Sequence, residues 1–170
     1  IYDELSHASL YDALKLSNAK GISFKHNDVD DLERKLAEYS TTIKGTIFVC
    51  FEGVYSMDGD ISPLSQIIPI IKKYGAISVL DDAHGLGVLG IDGSGTAEHF
   101  KLSKEIDISM GTFSKSVAVT GGFLAGRKEI INYMRYFARP YMFSASLPPM
   151  SLAAILAGLD LIKTKPELRE

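Results

Sequence analysis

This sequence predicts an α/β fold built on a mostly parallel sheet, and three observations support that. Apolar, β-branched runs alternate with helical patterns from end to end, as crossover connections between parallel strands require. Two short stretches, LDDAH at 80–84 and GTFSK at 111–115, each follow a β-rich run and so sit at the carboxyl end of a strand, where open α/β sheets bind ligands. GGFLAG at 121–126 follows the second stretch too closely for a helical crossover, which makes that strand antiparallel to its neighbour.

The elements follow in order. Ile1 and Tyr2 end a strand, a helix runs from about Ser9 to Ser17, and GISFK is a short strand. NDVDDLERKLAEY reads as a helix capped by Asn27 or Asp28, with Leu32, Leu36 and Tyr39 as its apolar stripe. TIFVCFE is the next strand, and the loop GVYSMDGDIS leads from it into a helix spanning about Pro63 to Tyr74. There Ser62 can cap, Pro63 suits the first position and Gly75 can terminate. Pro69 removes one backbone donor, so the helix kinks at that point or its regular part begins there. AISVLD is a strand, a glycine-rich loop runs through Gly95, a short helix covers about Ala97 to Phe100, and IDISMG is another strand. A helix from about Lys128 to Phe137, the irregular segment ARPYMFSASLPP and a final helix complete the chain.

Composition narrows the function. With 170 residues, 46% hydrophobic and 23% charged, the chain has the makings of one globular domain. A formal charge of −3 without a basic block lacks the electrostatic footprint of a nucleic-acid binder. The most apolar region, Ile67 to Leu80, is broken by Lys72, Lys73 and Gly75 well short of the roughly 18 residues of a membrane span. The single cysteine, Cys50, reads as a buried strand thiol rather than a nucleophile, since no activating pair adjoins it. The chain opens on IYDE and stops inside a helical pattern, as a segment of a longer protein would.

GLGVLG at 85–90 has the spacing of a dinucleotide fingerprint, but IDGSG follows at once where a phosphate-binding helix should begin. For Asp81, Asp82 and His84 a metal reading falls short of three or four convergent ligands, because adjacent strand residues point to opposite sides. The stronger reading joins an acid, Asp81, and an imidazole, His84, to the amine of Lys115 and the hydroxyls of Thr112 and Ser114. Pyridoxal phosphate needs such a set: an amine for a Schiff base, an acid that keeps its pyridine nitrogen protonated, and donors for its phosphate.

The ordered motifs DELSHASL, HND, EGVYSMDGD, LDDAHGLGVLG, GTFSKSVAVTGGF and RPYMFSASLPP resemble the α-oxoamine synthase family of fold-type I pyridoxal phosphate enzymes, which combine a three-layer α/β/α large domain with further parts. Within that family GTFSKS with RPYMFSASLPP is most similar to the serine palmitoyltransferases of sphingolipid biosynthesis; 8-amino-7-oxononanoate synthase, glycine C-acetyltransferase and 5-aminolevulinate synthase share the skeleton. The resemblance implies that Lys115 binds the cofactor covalently and takes the substrate's α proton, and that Asp81 pairs with the pyridine nitrogen. It implies that His84 and Ser56 hydrogen-bond the phenolic oxygen, that His7 stacks on the ring, and that Thr112, with Ser114, binds the phosphate. Ser144 or Ser146 would reach a phosphate in the partner subunit of a homodimer. Residues 1–170 would then be the central part of the large cofactor-binding domain, without the amino-terminal segment and the small carboxyl-terminal domain. The implied enzyme is a cytoplasmic C-acyltransferase that condenses an amino acid, serine by preference, with a long-chain acyl-CoA. A nucleotide-dependent oxidoreductase and a non-catalytic dimerisation subunit are the rival readings.

Overall fold

The computed structural model describes residues 1–169. Among them, one sheet has the strand order β2-β1-β3-β4-β5-β6, formed by β1 (Tyr2–Asp3), β2 (Ser23–Phe24), β3 (Phe48–Glu52), β4 (Ile77–Asp81), β5 (Ile108–Thr112) and β6 (Gly122–Gly126). β1 to β5 are parallel. β6 runs antiparallel to β5, from Ile108↔Gly126 to Thr112↔Gly122, as its short connection requires. The chain moves from β1 to β2 on one side and then returns to place β3 on the other. That reversal makes a topological switch point, and the crevice beyond the carboxyl ends of β1 and β3 is where a ligand fits.

Period-two alternation divides the sheet into two faces. Val49, Phe51 and Leu80 turn to one side and pack with α2 (Val29–Thr42) through Leu32 and Leu36, and with α3 (Leu64–Lys73) through Leu64, Ile67, Ile68 and Ile71. Each such fully buried side chain stabilises the fold by about 1.5–3 kcal/mol. Tyr39, placed in the same stripe, is only half buried. The opposite face carries α1 (Ala8–Leu16): Tyr2, the register partner of Cys50, meets the Tyr11 ring edge-on at 5.3 Å. Helices on both sides of the sheet complete the three-layer α/β/α arrangement. Cys50 lies within β3 and burial pushes its thiol pKa up, the opposite of an activated nucleophile.

Two of the helix ends expected from the sequence follow local chemistry, and a third does not. Asp28 caps α2 by accepting the Asp31 N–H. Gly75, at φ 64°, closes α3 by donating to the Lys72 carbonyl while Ala76 donates to that of Ile71, a Schellman arrangement. The exception is Ser62, expected to cap α3. Its hydroxyl instead donates to Asn27 at 3.1 Å, and Pro63 stands at the cap without a side-chain bond. Pro69 lies inside α3 and does not delay its start.

α4 (Thr96–His99) and α5 (Lys128–Phe137) lie where the pattern puts them, with His99 exposed on the former. The segment expected to be irregular contains one helical turn, α6 (Arg139–Met142), because Pro140 fits a first turn. α7 (Pro149–Thr164) follows, then a 3-10 turn at Pro166–Leu168. α7 presses on the two functional loops. A Cβ added to Gly158 would stand 2.7 Å from Val117, two residues after Lys115, so glycine is what permits this approach.

Candidate functional site

Four consecutive parallel strands deliver polar residues to one cleft. His7 follows β1, Glu52 ends β3, Asp81 ends β4 and Thr112 ends β5; with Ser9, Ser114 and Lys115 they line a cavity of about 270 Å³. Glu52 and Asp81 are direct register partners and Asp81 pairs with Met110, so these residues share one side of the sheet.

Each group is held locally. The His7 ring caps α1: its Nδ1 accepts the Ser9 N–H at 3.3 Å and meets Ser9 Oγ at 2.9 Å. One Asp81 oxygen accepts the Ala83 N–H at 3.1 Å. Thr112 donates to the Gly121 carbonyl at 3.0 Å, lies 2.7 Å from Ser114 Oγ and accepts the Ser114 N–H at 3.2 Å, which shapes the turn into Lys115. His84 stands nearby. Burial first, and then the Lys115 charge, lower its pKa, so its imidazole is neutral at pH 7.

Asp82 points the other way and does structural work. Buried, it accepts the Thr96 N–H at 2.7 Å and the Thr96 hydroxyl at 2.6 Å. Burial raises its pKa while those hydrogen bonds oppose the rise. Gly85 and Gly95 close around this pair, since an added Cβ at either would come within 2.1 Å of an Asp82 oxygen. GLGVLG is therefore a tight wrapping loop that turns back on itself, with Val88 and Leu89 both donating to the Gly85 carbonyl, and no helix opens from it. Asp82→Ala would strand two buried Thr96 donors. It should cost about 2–4 kcal/mol, seen as a fall in the urea denaturation midpoint, and a loss below about 0.5 kcal/mol would contradict the bracing role.

The expected site residues do not all converge. His7, Asp81, Thr112, Ser114 and Lys115 line the cleft; His84 is not among the lining residues but is close enough to interact with the Lys115, Asp81 and His7 charges. Ser56 is exposed in the turn closed by the Val54–Ile61 bridge and is not among the lining residues. Ser144 and Ser146, exposed after α6, are also outside it. Ser56 was placed by motif, and position along the chain does not say which side of a turn faces the cleft; Ser144 and Ser146 were expected at a partner subunit's phosphate rather than in this cleft. His26 bridges two carboxylates, Asp3 at 3.0 Å and Asp60 at 2.9 Å, and so ties the Ser56 loop to β1. Sequence reading missed Glu52, although a carboxylate ending an apolar strand two strands from Lys115 was a visible signal.

The family model for aminotransferase class I and II matches residues 1–170. Among curated proteins, the chain is 45% identical over 166 residues to 8-amino-7-oxononanoate synthase of Petrotoga mobilis, covering 98% of this chain and 42% of that protein. It is 44% identical over 170 residues to serine palmitoyltransferase of Sphingobacterium spiritivorum, covering 100% and 42%. Among solved structures, serine palmitoyltransferase from S. paucimobilis with bound PLP–myriocin aldimine superposes with a TM-score of 0.93 at 39% identity, over 99% of this chain and 43% of that one. The chain thus spans about 42% of the length of the curated relatives it matches.

Proposed function

The chain belongs to the aminotransferase class I and II family, and on that premise we propose that it forms the central, cofactor-binding part of a pyridoxal phosphate-dependent C-acyltransferase of the α-oxoamine synthase type. The observation that carries this reading is the convergence of one amine, two strand-end carboxylates, an imidazole and a hydroxyl pair on a single cleft. That donor set fits the cofactor. Asp81 offers an anion to a protonated ring nitrogen, His84 a neutral ring to the phenolic oxygen, and Thr112 and Ser114 hydroxyls to the phosphate; His7 offers a flat face.

Bound there, pyridoxal phosphate supplies an electron sink for negative charge at an amino acid's α carbon. The chain's residues do the rest. Lys115 would hold the cofactor through its Nζ and would offer that nitrogen as the base for the substrate's α proton. Asp81 would pair with the ring nitrogen and favour its protonated form. The overall reaction joins the amino acid to an acyl-CoA with loss of carbon dioxide and free CoA.

Serine and a long acyl chain are the proposed substrates, in a cytoplasmic homodimer with shared active sites. Among the described residues no helix is long and apolar enough to cross a membrane. The second reading is 8-amino-7-oxononanoate synthase, favoured by relatives of that name at equal identity. Titrating the intact enzyme with amino acids and then measuring free thiol with graded acyl-CoAs separates the two. Serine should beat alanine by about 1–3 kcal/mol, because a site that hydrogen-bonds its hydroxyl leaves polar groups unpaired with alanine. Longer chains should gain about 0.8 kcal/mol for each methylene that the enzyme buries. Preference for alanine with a pimeloyl thioester would transfer the assignment to the second reading.

A further inference from the structure

The segment that carries Lys115 is a closed turn. The Phe113 N–H donates to the Gly121 carbonyl at 2.9 Å, that of Val119 to the Phe113 carbonyl at 2.9 Å and that of Ala118 to the Lys115 carbonyl at 3.1 Å, with Ala118 in the left-handed region at φ 56°. Among the described residues no hydrogen bond ties Lys115, Ser116 or Val117 to another element. Close packing against two glycines holds this stretch instead. A Cβ at Gly87, in the loop after β4, would stand 2.6 Å from Ser116 Oγ, and one at Gly158, in α7, would stand 2.7 Å from Val117 Cγ1. The buried Ile155, Gly158 and Ile162 recur at helical spacing on one face of α7. Ile162 reaches within 3.1 Å of the position a Gly87 Cβ would take, so that face meets both the loop bearing His84 and the turn bearing Lys115.

We infer that Gly158 is a positioning residue for Lys115: having no side chain, it lets Val117 seat against α7, and that seat fixes the turn from which the Lys115 amine enters the cleft. The inference rests on the reading of Lys115 as the amine that binds pyridoxal phosphate. Non-bonded carbons settle about 3.5–4.0 Å apart, so a Cβ at Gly158 would push Val117 away by about 1 Å. Val117 is β-branched and restricted about χ1, so its backbone takes up part of that push. Lys115 stands two residues earlier, inside the bond from Ala118 to the Lys115 carbonyl, and shares the displacement. A misplacement of about 1 Å at a reacting group can slow the reaction by about a hundredfold.

Gly158→Ala, Val117→Ala and the two combined, each in the intact enzyme, test this. With pyridoxal phosphate at saturating concentration, covalent attachment to Lys115, sampled by borohydride quenching and peptide mapping, should slow by about tenfold to a hundredfold in Gly158→Ala. Binding without covalent attachment, read by equilibrium dialysis in a Lys115→Ala background, should change by no more than about twofold, because Asp81 and the hydroxyl pair are untouched. In the combined variant the truncated valine leaves room for the new methyl, and the rate should return to within about threefold of the parent. A parental rate in Gly158→Ala, an equal loss of attachment and of dialysis affinity, or a loss that the second substitution does not relieve would each overturn the inference. Should Gly158→Ala not fold, Val117→Ala decides alone: emptying the seat should slow attachment by about threefold to tenfold, and a parental rate overturns the inference. In the cofactor-free enzyme, the Lys115 magnetic-resonance signal after reductive methylation with isotope-labelled formaldehyde should move in Gly158→Ala and return in the combined variant. If the parent fails to bind pyridoxal phosphate, the cofactor reading falls, and an unmoved signal still overturns the placement of Lys115 by Gly158 separately.

Discussion

Lys115→Ala in the intact enzyme is expected to abolish covalent attachment of pyridoxal phosphate and with it the visible absorption of the protein-bound imine. The side chain lines the cleft on a loop bent by the Thr112–Ser114 contact, so the amine stands beside the groups proposed to hold the cofactor. Only a side-chain amine can form the imine, and among the described residues no other lysine lines that cleft. Losing the base should also slow α-proton exchange from a bound amino acid by about 10²–10⁴-fold. Borohydride reduction followed by peptide mapping is the direct check. Label retained on a different lysine in the variant would move the catalytic amine elsewhere.

The second large effect belongs to Asp81. Asp81→Ala should still bind pyridoxal phosphate, because the lysine and the hydroxyl pair remain, but slow α-proton exchange by about a hundredfold or more, since the ring nitrogen loses the anion that keeps it protonated. Exchange followed by deuterium uptake separates this from a folding defect. The neighbouring Asp82 supplies a control of opposite character. Its carboxylate is spent on Thr96, so its replacement should lower stability while leaving the Asp81 chemistry in place wherever the protein remains folded. Unchanged exchange in Asp81→Ala would show that the ring nitrogen is held by some other group.

The contrast between these two aspartates marks where sequence reading runs out. Alternation along a strand says that at most one of two adjacent carboxylates serves a given ligand, and the motif pointed to Asp81. The motif says nothing of what the other one does. That depends on Thr96, 14 residues away, and on the glycines that let backbone close over the pair. The same holds for Ser62, whose local sequence suits a helix cap but whose hydroxyl is taken by Asn27, 35 residues distant. Glu52 is the sharpest case, since a carboxylate at a strand end is ordinarily solvated. Only its burial and its register with Asp81 raise its pKa, to about 7.

By itself the sequence determined the element order apart from α6, the antiparallel turn-back of β6, a cap at Asn27 or Asp28 and one at Gly75, the exclusion of a dinucleotide helix, and the amine, acid and hydroxyl set at the strand ends. These follow from periodicity, turn chemistry and short motifs, all of which act over a few residues. Tertiary structure alone decided which of those groups share a cleft, that Ser56 stands outside its lining, and that Glu52 is buried beside Asp81 within it. Those outcomes depend on strand register, on which face each side chain takes and on desolvation by neighbours distant in the chain, and a single sequence does not encode distances between such residues in any local pattern.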